Sequence, residues 1–187
     1  GNFAFTQLVA FQGVLLQLQS FRSGVDILLQ CYKNLKLDGQ NDPALGSAMC
    51  HILVIFASGL SIGPLVESKL LLVEDFAKKA GLVSFCSIFQ MQRQFLLNLW
   101  KTSKNPTDLN GLAFDEEGFL GSLEVTSKVY STIRRDTSMY RIILAFVFRD
   151  HDCMTRMLGI LHNYPTTDPA VPRLHLRLAF MGLSACL

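Results

Sequence analysis

The residues Gly59-Leu60-Ser61-Ile62-Gly63 spell the G-x-S-x-G pattern, in which a serine on a sharp strand-to-helix turn becomes an acyl-transfer nucleophile. The apolar run 52–56 could supply the strand. Asp150 or Asp152 as acid, with His162 or His175 as base, would satisfy the order Ser, Asp, His. An elbow of this kind needs parallel strands on both sides and a glycine-rich loop to bind the oxyanion. Neither is readable in the chain, so Gly63 reads as a helix stop. An α/β serine hydrolase fragment with Ser61 as nucleophile stands as the alternative reading.

Metal and phosphate chemistry find less support. On one helix, His151 and His162 would share a face but lie about 16 Å apart, too far to hold one ion. His51 next to Cys50, and His151 near Cys153, point to different faces, and no C-x-x-C occurs. These histidines read as buried or capping. Asp115, Glu116 and Glu117 could be imagined around Mg²⁺, yet consecutive helical positions diverge, and an acidic first turn explains them. Gly111, Gly118 and Gly121 lack the strand and the Lys-Ser/Thr of a phosphate loop. The expectation is therefore no catalytic residue, no cofactor and no metal ligand in this region. The five cysteines, Cys31, Cys50, Cys86, Cys153 and Cys186, are odd in number and irregularly spaced, which suits reduced, buried thiols and a cytoplasmic setting.

Composition directs attention to packing. Hydrophobic residues make up 50 % of the 187, charged residues only 17 %, and the net charge is +2. So balanced a chain lacks the basic stripe of a nucleic-acid binder. Lys78-Lys79 and Arg134-Arg135 sit where helix ends are expected, and Phe85, Phe89, Phe95 and Trp100 read as core rather than a base-stacking platform. The apolar window 49–62 is shorter than the ~20 residues of a bilayer span and contains His51. Residues 2–19 lack the basic start of a leader and carry four glutamines. The chain opens on Gly1 and stops inside an apolar run, so it reads as a piece of something longer.

These residues must be positioned by helices. Val25, Leu28, Leu29 and Tyr32 recur at helical spacing and Gly39 follows, predicting a helix over 21–37. Asp42-Pro43 then reads as an N-cap and first helical residue, starting a helix that reaches Ile62. Gly63-Pro64 begins a third, ended by Lys78, Lys79 and Gly81, and a further helix covers 82–101. Turn residues concentrate in 103–114, which reads as an exposed loop insertion. Acidic Asp115 to Glu117 opens a helix extending to Tyr130 or Arg134. Asp136 is expected to cap another over 137–148, and Arg149-Asp150 turns into a helix bearing Met154, Met157, Leu158 and Leu161. Asp168-Pro169 starts the last, and the small residues Ala57, Ser58 and Gly59 would let a neighbouring helix approach closely. The reading is all-α, about nine helices in one region over 1–187. Starts near Pro43, Leu82, Thr137 and Pro169 are spaced by about 40, 55 and 32 residues, which fits an antiparallel helix-hairpin, tetratricopeptide-like solenoid.

Order and spacing within 88–150 carry a likeness to a family. Phe95-Leu96-Leu97-Asn98-Leu99, then Asn105-Pro106-Thr107, Asp115-Glu116-Glu117, and the run Ile143 to Asp150 resemble the tetratricopeptide-like region of large multidomain signalling ATPases and protein kinases of microalgae, notably diatoms. The likeness extends over most of the chain. It implies a helical region that follows a kinase-like or AAA-type ATPase module and can precede a histidine-kinase or nucleotide-cyclase domain, with ATP binding confined to the full-length protein. No catalytic residue of the family falls in this part. Around Asp150 the sequence departs from the pattern, with Arg149 and His151 where glycine and an aromatic are expected. The expected role is a non-catalytic scaffold for signal transduction. It would contact protein partners or neighbouring domains of its own chain, without nucleic acid, membrane or small-molecule substrate.

Overall fold

The computed structural model describes residues 21–63, 68–101 and 104–163. Seven helices occur among them, rather than about nine: α1 (Phe21–Leu37), α2 (Asn41–Ala57), α3 (Leu70–Lys79), α4 (Val83–Trp100), α5 (Glu116–Gly121), α6 (Lys128–Phe148) and α7 (His151–His162). The expected helix from Asp168-Pro169 lies outside the described residues, as does the start proposed at Pro64. Among the described residues the sheet-like pairing is limited to one isolated bridge between Asn110 and Asp115. The all-α reading therefore holds for these residues.

The chain divides into two compact units that meet within α4, one ending at Phe89 and the other beginning at Gln90. In the first, α1 packs along α2 through Leu28, Cys31, Leu35, Ala44, Cys50 and Val54, with Tyr32 and Phe76 against this cluster. The buried Ser47 hydroxyl donates to the Leu28 carbonyl at 2.9 Å, so a polar group at the seam has an acceptor. Gly39 lets the chain reverse: it takes a left-handed φ of +71°, and the N–H of Gln40 returns to the Leu35 carbonyl while that of Gly39 returns to Lys36. This pair of hydrogen bonds satisfies carbonyls that a helix end otherwise leaves without donors. The same device, with Gly81, ends α3.

In the first unit one helix start and one stop differ from expectation. The N-cap of α2 is Gln40, with no side-chain cap bond, so Asp42 and Pro43 lie inside the first turn. Proline is tolerated there because first-turn N–H groups have no intrahelical acceptor. That helix ends at Ala57, not Ile62, because Gly59 adopts φ +67° and the N–H of Leu60 bonds back to the Ile55 carbonyl. The stop is therefore Gly59, and Gly63 is itself helical.

In the second unit, the helix expected from Asp115 to Arg134 is only the short α5. Asp115 does cap it, accepting from the Gly118 N–H at 3.1 Å. The next cap is Ser127, whose hydroxyl oxygen accepts from the Tyr130 N–H, and α6 runs unbroken from there to Phe148. Asp136 thus caps nothing; it is buried in mid-helix, its carboxylate 3.2 Å from Nε of Arg135. Helices α6 and α7 join through Arg149-Asp150 and pack around Ile142, Ala145, Cys153, Met154, Met157 and Leu161. The segment 104–114 is non-helical yet not simply exposed, since Leu109 and Phe114 are buried. Asn98 donates to the carbonyls of Pro106 and Asp108, and Gln94 accepts from the Ala113 N–H.

Candidate functional site

Three helical faces of the first unit line a cleft of about 380 Å³. Helical spacing assembles each face: Tyr32 and Lys36 on α1, Ala48, His51 and Ile52 on α2, and Lys69, Leu72, Phe76 and Lys79 along α3 and its N-cap. The Tyr32 and Phe76 rings meet edge to face, centroids 6.4 Å apart at 77°, a favoured quadrupolar arrangement. Lys36 lays its ammonium over both, 4.4 Å from the Phe76 centroid and 5.7 Å from that of Tyr32. Leu72, 69 % exposed, presents a large apolar side chain at the rim.

His51 forms part of the wall. Its side chain is buried, yet Nε2 has no hydrogen-bond partner. Burial pushes its pKa down to about 4, the positive charge of Lys69 pushes the same way, and Asp26 opposes weakly. The imidazole is therefore neutral at pH 7, able to donate or accept but not to supply charge. Positive charge comes from Lys36, Lys69 and Lys79; among the described lining residues the one carboxylate is that of Asp75, which pairs with Lys79 at 2.7 Å. Among the described residues Lys36 and Lys69 have no carboxylate partner. The arrangement can hold an apolar group and attract negative charge; it contains no nucleophile next to a base.

The second unit concentrates its ionic groups differently. Arg141 reaches Asp108 at 2.7 Å through Nη2 and Glu116 at 3.3 Å through Nη1, and Glu116 is also 3.5 Å from Arg134. Burial of Arg141 disfavours its charge, but the carboxylates of Glu116 and Asp108 and the nearby Cys153 sulfur outweigh that and raise its pKa. Removing one partner from so enclosed a group strands the others, which makes the network a brace. Asp150 caps α7, accepting from the Cys153 N–H at 2.9 Å and from the Thr107 hydroxyl at 2.9 Å. The Cys153 N–H is the main reason its carboxyl titrates below the usual range.

The residues singled out in the sequence are dispersed. Ser61 is exposed on the connection after α2, and 52–56, the run needed as a strand, is helix. Asp150 is engaged as a cap, Asp152 and His162 are exposed, and His175 lies outside the described residues. Among the described residues no three His, Cys, Asp or Glu side chains gather as a metal site. Glu116 is committed to arginines, while His151 is exposed in the first turn of α7. Cys31, Cys50, Cys86 and Cys153 are buried and form no disulfide among the described residues; Cys186 is outside the described residues. Phe85 stacks on Phe89, and Phe95 lies 4.9 Å from Tyr140, whereas Trp100 is 41 % exposed. Lys78 bonds Glu74 at 2.8 Å. No helix among the described residues is long and apolar enough to cross a membrane.

The cleft itself escaped sequence reading. The signal present was the spacing 69, 72, 76 and 79, one helix face on which two bulky apolar residues stand between two lysines. Nothing matched the chain in comparisons with protein-family models, with curated proteins or with solved structures.

Proposed function

We propose that this chain is a non-catalytic helical scaffold, a region of helix hairpins stacked as a solenoid, that docks a protein segment in the cleft between α1, α2 and α3. The observation that carries the reading is the combination of an apolar, aromatic cleft with two lysines, Lys36 and Lys69, that lack a carboxylate partner among the described residues, and no nucleophile next to a base in its lining. A surface of that kind favours binding over chemistry. The likeness of 88–150 to the tetratricopeptide-like part of microalgal signalling ATPases and kinases supplies a context: the docked segment belongs to a neighbouring domain or to a protein partner in the cytoplasm. Stacked helix hairpins suit such a role because they present extended surfaces without moving parts.

The reading is tested by placing a photo-crosslinking amino acid at Leu72 in the full-length protein, with the same group at exposed Leu112 as control. The expected result is a cross-link from position 72, and not from 112, to one defined polypeptide segment. Saturable ester hydrolysis by the chain, abolished by Ser61→Ala, would overturn it in favour of the serine hydrolase.

A further inference from the structure

We infer, building on the docking reading above, that the occupant of the cleft is an acidic stretch of polypeptide with one large apolar side chain between carboxylates about five residues apart. The geometry of α3 points to this. Lys69 and Lys79 lie ten residues apart at its two ends, roughly 15 Å along the axis at 1.5 Å per residue. One carboxylate cannot reach both. An extended chain advances about 3.3 Å per residue, so acids five positions apart match that span.

Between the two lysines stand Leu72 and Phe76, with Tyr32 and Lys36 facing them from α1. An apolar side chain entering there meets an aromatic edge and a largely exposed leucine, and withdraws both from water. A cleft of about 380 Å³ admits a side chain of phenylalanine or leucine size together with adjacent backbone. Lys36 and Lys69, free of carboxylate partners among the described residues, supply charge complementarity. Lys79 is shared with Asp75, so its pull on the occupant is the weaker one. A fatty-acid anion carries a single charge at one end and leaves either Lys36 or Lys69 without a counter-charge.

The test is fluorescence anisotropy on the full chain with a labelled seven-residue peptide carrying glutamate at its first and sixth positions and phenylalanine at its third. Binding is expected, weakened roughly tenfold when phenylalanine becomes alanine, and by a similar factor with Lys69→Glu or Lys36→Glu, which replace attraction by repulsion at exposed sites. Reversing the peptide glutamates to lysine is expected to abolish binding, while Lys104→Glu, on the other unit, leaves it unchanged. No binding, or binding indifferent to the phenylalanine or to Lys69, overturns the inference. The cross-link at position 72 separates the two failures. Capture of a defined segment without acids at that spacing sinks the acidic occupant and leaves docking standing. Stoichiometric binding of laurate with no peptide binding and no cross-link sinks both.

Discussion

Arg149 offers a direct measure of backbone strain in this chain. It takes φ 59° and ψ 36° at the end of α6, with its N–H returned to Phe146 and that of Asp150 to Ala145. Gly39, Gly59 and Gly81 hold the equivalent position after α1, α2 and α3. An L-residue in the left-handed region costs about 1–2 kcal/mol relative to glycine's freedom there. Against this, glycine loses roughly 0.4–1 kcal/mol more backbone entropy on folding. The Arg149 side chain is exposed and makes no ion pair among the described residues, so little else is lost. Arg149→Gly is therefore expected to stabilise the chain by about 0.5–1 kcal/mol, a rise in Tm of roughly 2–3 °C at this size. Calorimetry of both proteins at pH 7 reads the shift. The reverse exchange, Gly81→Arg, should lower Tm by a comparable amount, since a Cβ at Gly81 meets no atom within 4 Å and only the backbone objects. If Arg149→Gly lowers Tm while Gly81→Arg leaves it unchanged, strain at the left-handed cap is not what sets these stabilities.

Acid should destabilise the first unit through His51. Its folded pKa of about 4 lies below the 6.5 of a free imidazole, so the unfolded chain takes up the proton first. The contribution is complete above about pH 6.5 and shrinks as pH falls toward 4, by at most about 3 kcal/mol. Urea midpoints at pH 7 and pH 5 should diverge for the native protein and converge for His51→Leu; an equal divergence in both would contradict this. Gly111→Ala should cost about 1–2 kcal/mol, because an added Cβ would stand 2.5 Å from the Gln94 amide that holds the Ala113 N–H. Denaturant unfolding of that variant alongside Gly121→Ala, where a Cβ meets nothing, checks it, and equal losses would show that the Gln94 bond is not the cause.

Local signals were legible where one residue decides the matter. Gly39 and Gly81 announce left-handed caps, and Asp115 marks the start of α5 as a carboxylate beside free N–H groups should. Asp136 misled for the opposite reason: an aspartate inside an apolar pattern looks like a cap, whereas tertiary burial beside Arg135 lets it sit in mid-helix. Ser127, the true cap, lies in a polar run where any of several hydroxyls could serve. The second glycine of the G-x-S-x-G pattern drew attention from the first, although Gly59 ends α2 and thereby turns a nucleophile elbow into a helix stop. The cleft was illegible because Lys36, His51 and Lys69 come from three elements. Their meeting depends on how α1, α2 and α3 pack, which no short window of sequence states.

The segment 104–114 illustrates how a stretch without helix can be held as firmly as one with it. Its carbonyls, an amide, the Thr107 hydroxyl and the Asp108 carboxylate are tied to Asn98, Gln94, Asp150 and Arg141, side chains from α4, α6 and the α7 cap. Breaking one tether frees little chain, because the others still pin it. Opening must be cooperative, with several bonds released in one event, so amide exchange along this stretch should follow the unfolding of the second unit rather than the independent breathing of a surface loop. Length without secondary structure is thus a poor guide to where a protease first finds purchase. The connection 122–126, with exposed Val125 and mostly local bonds, lies closer to that weak point.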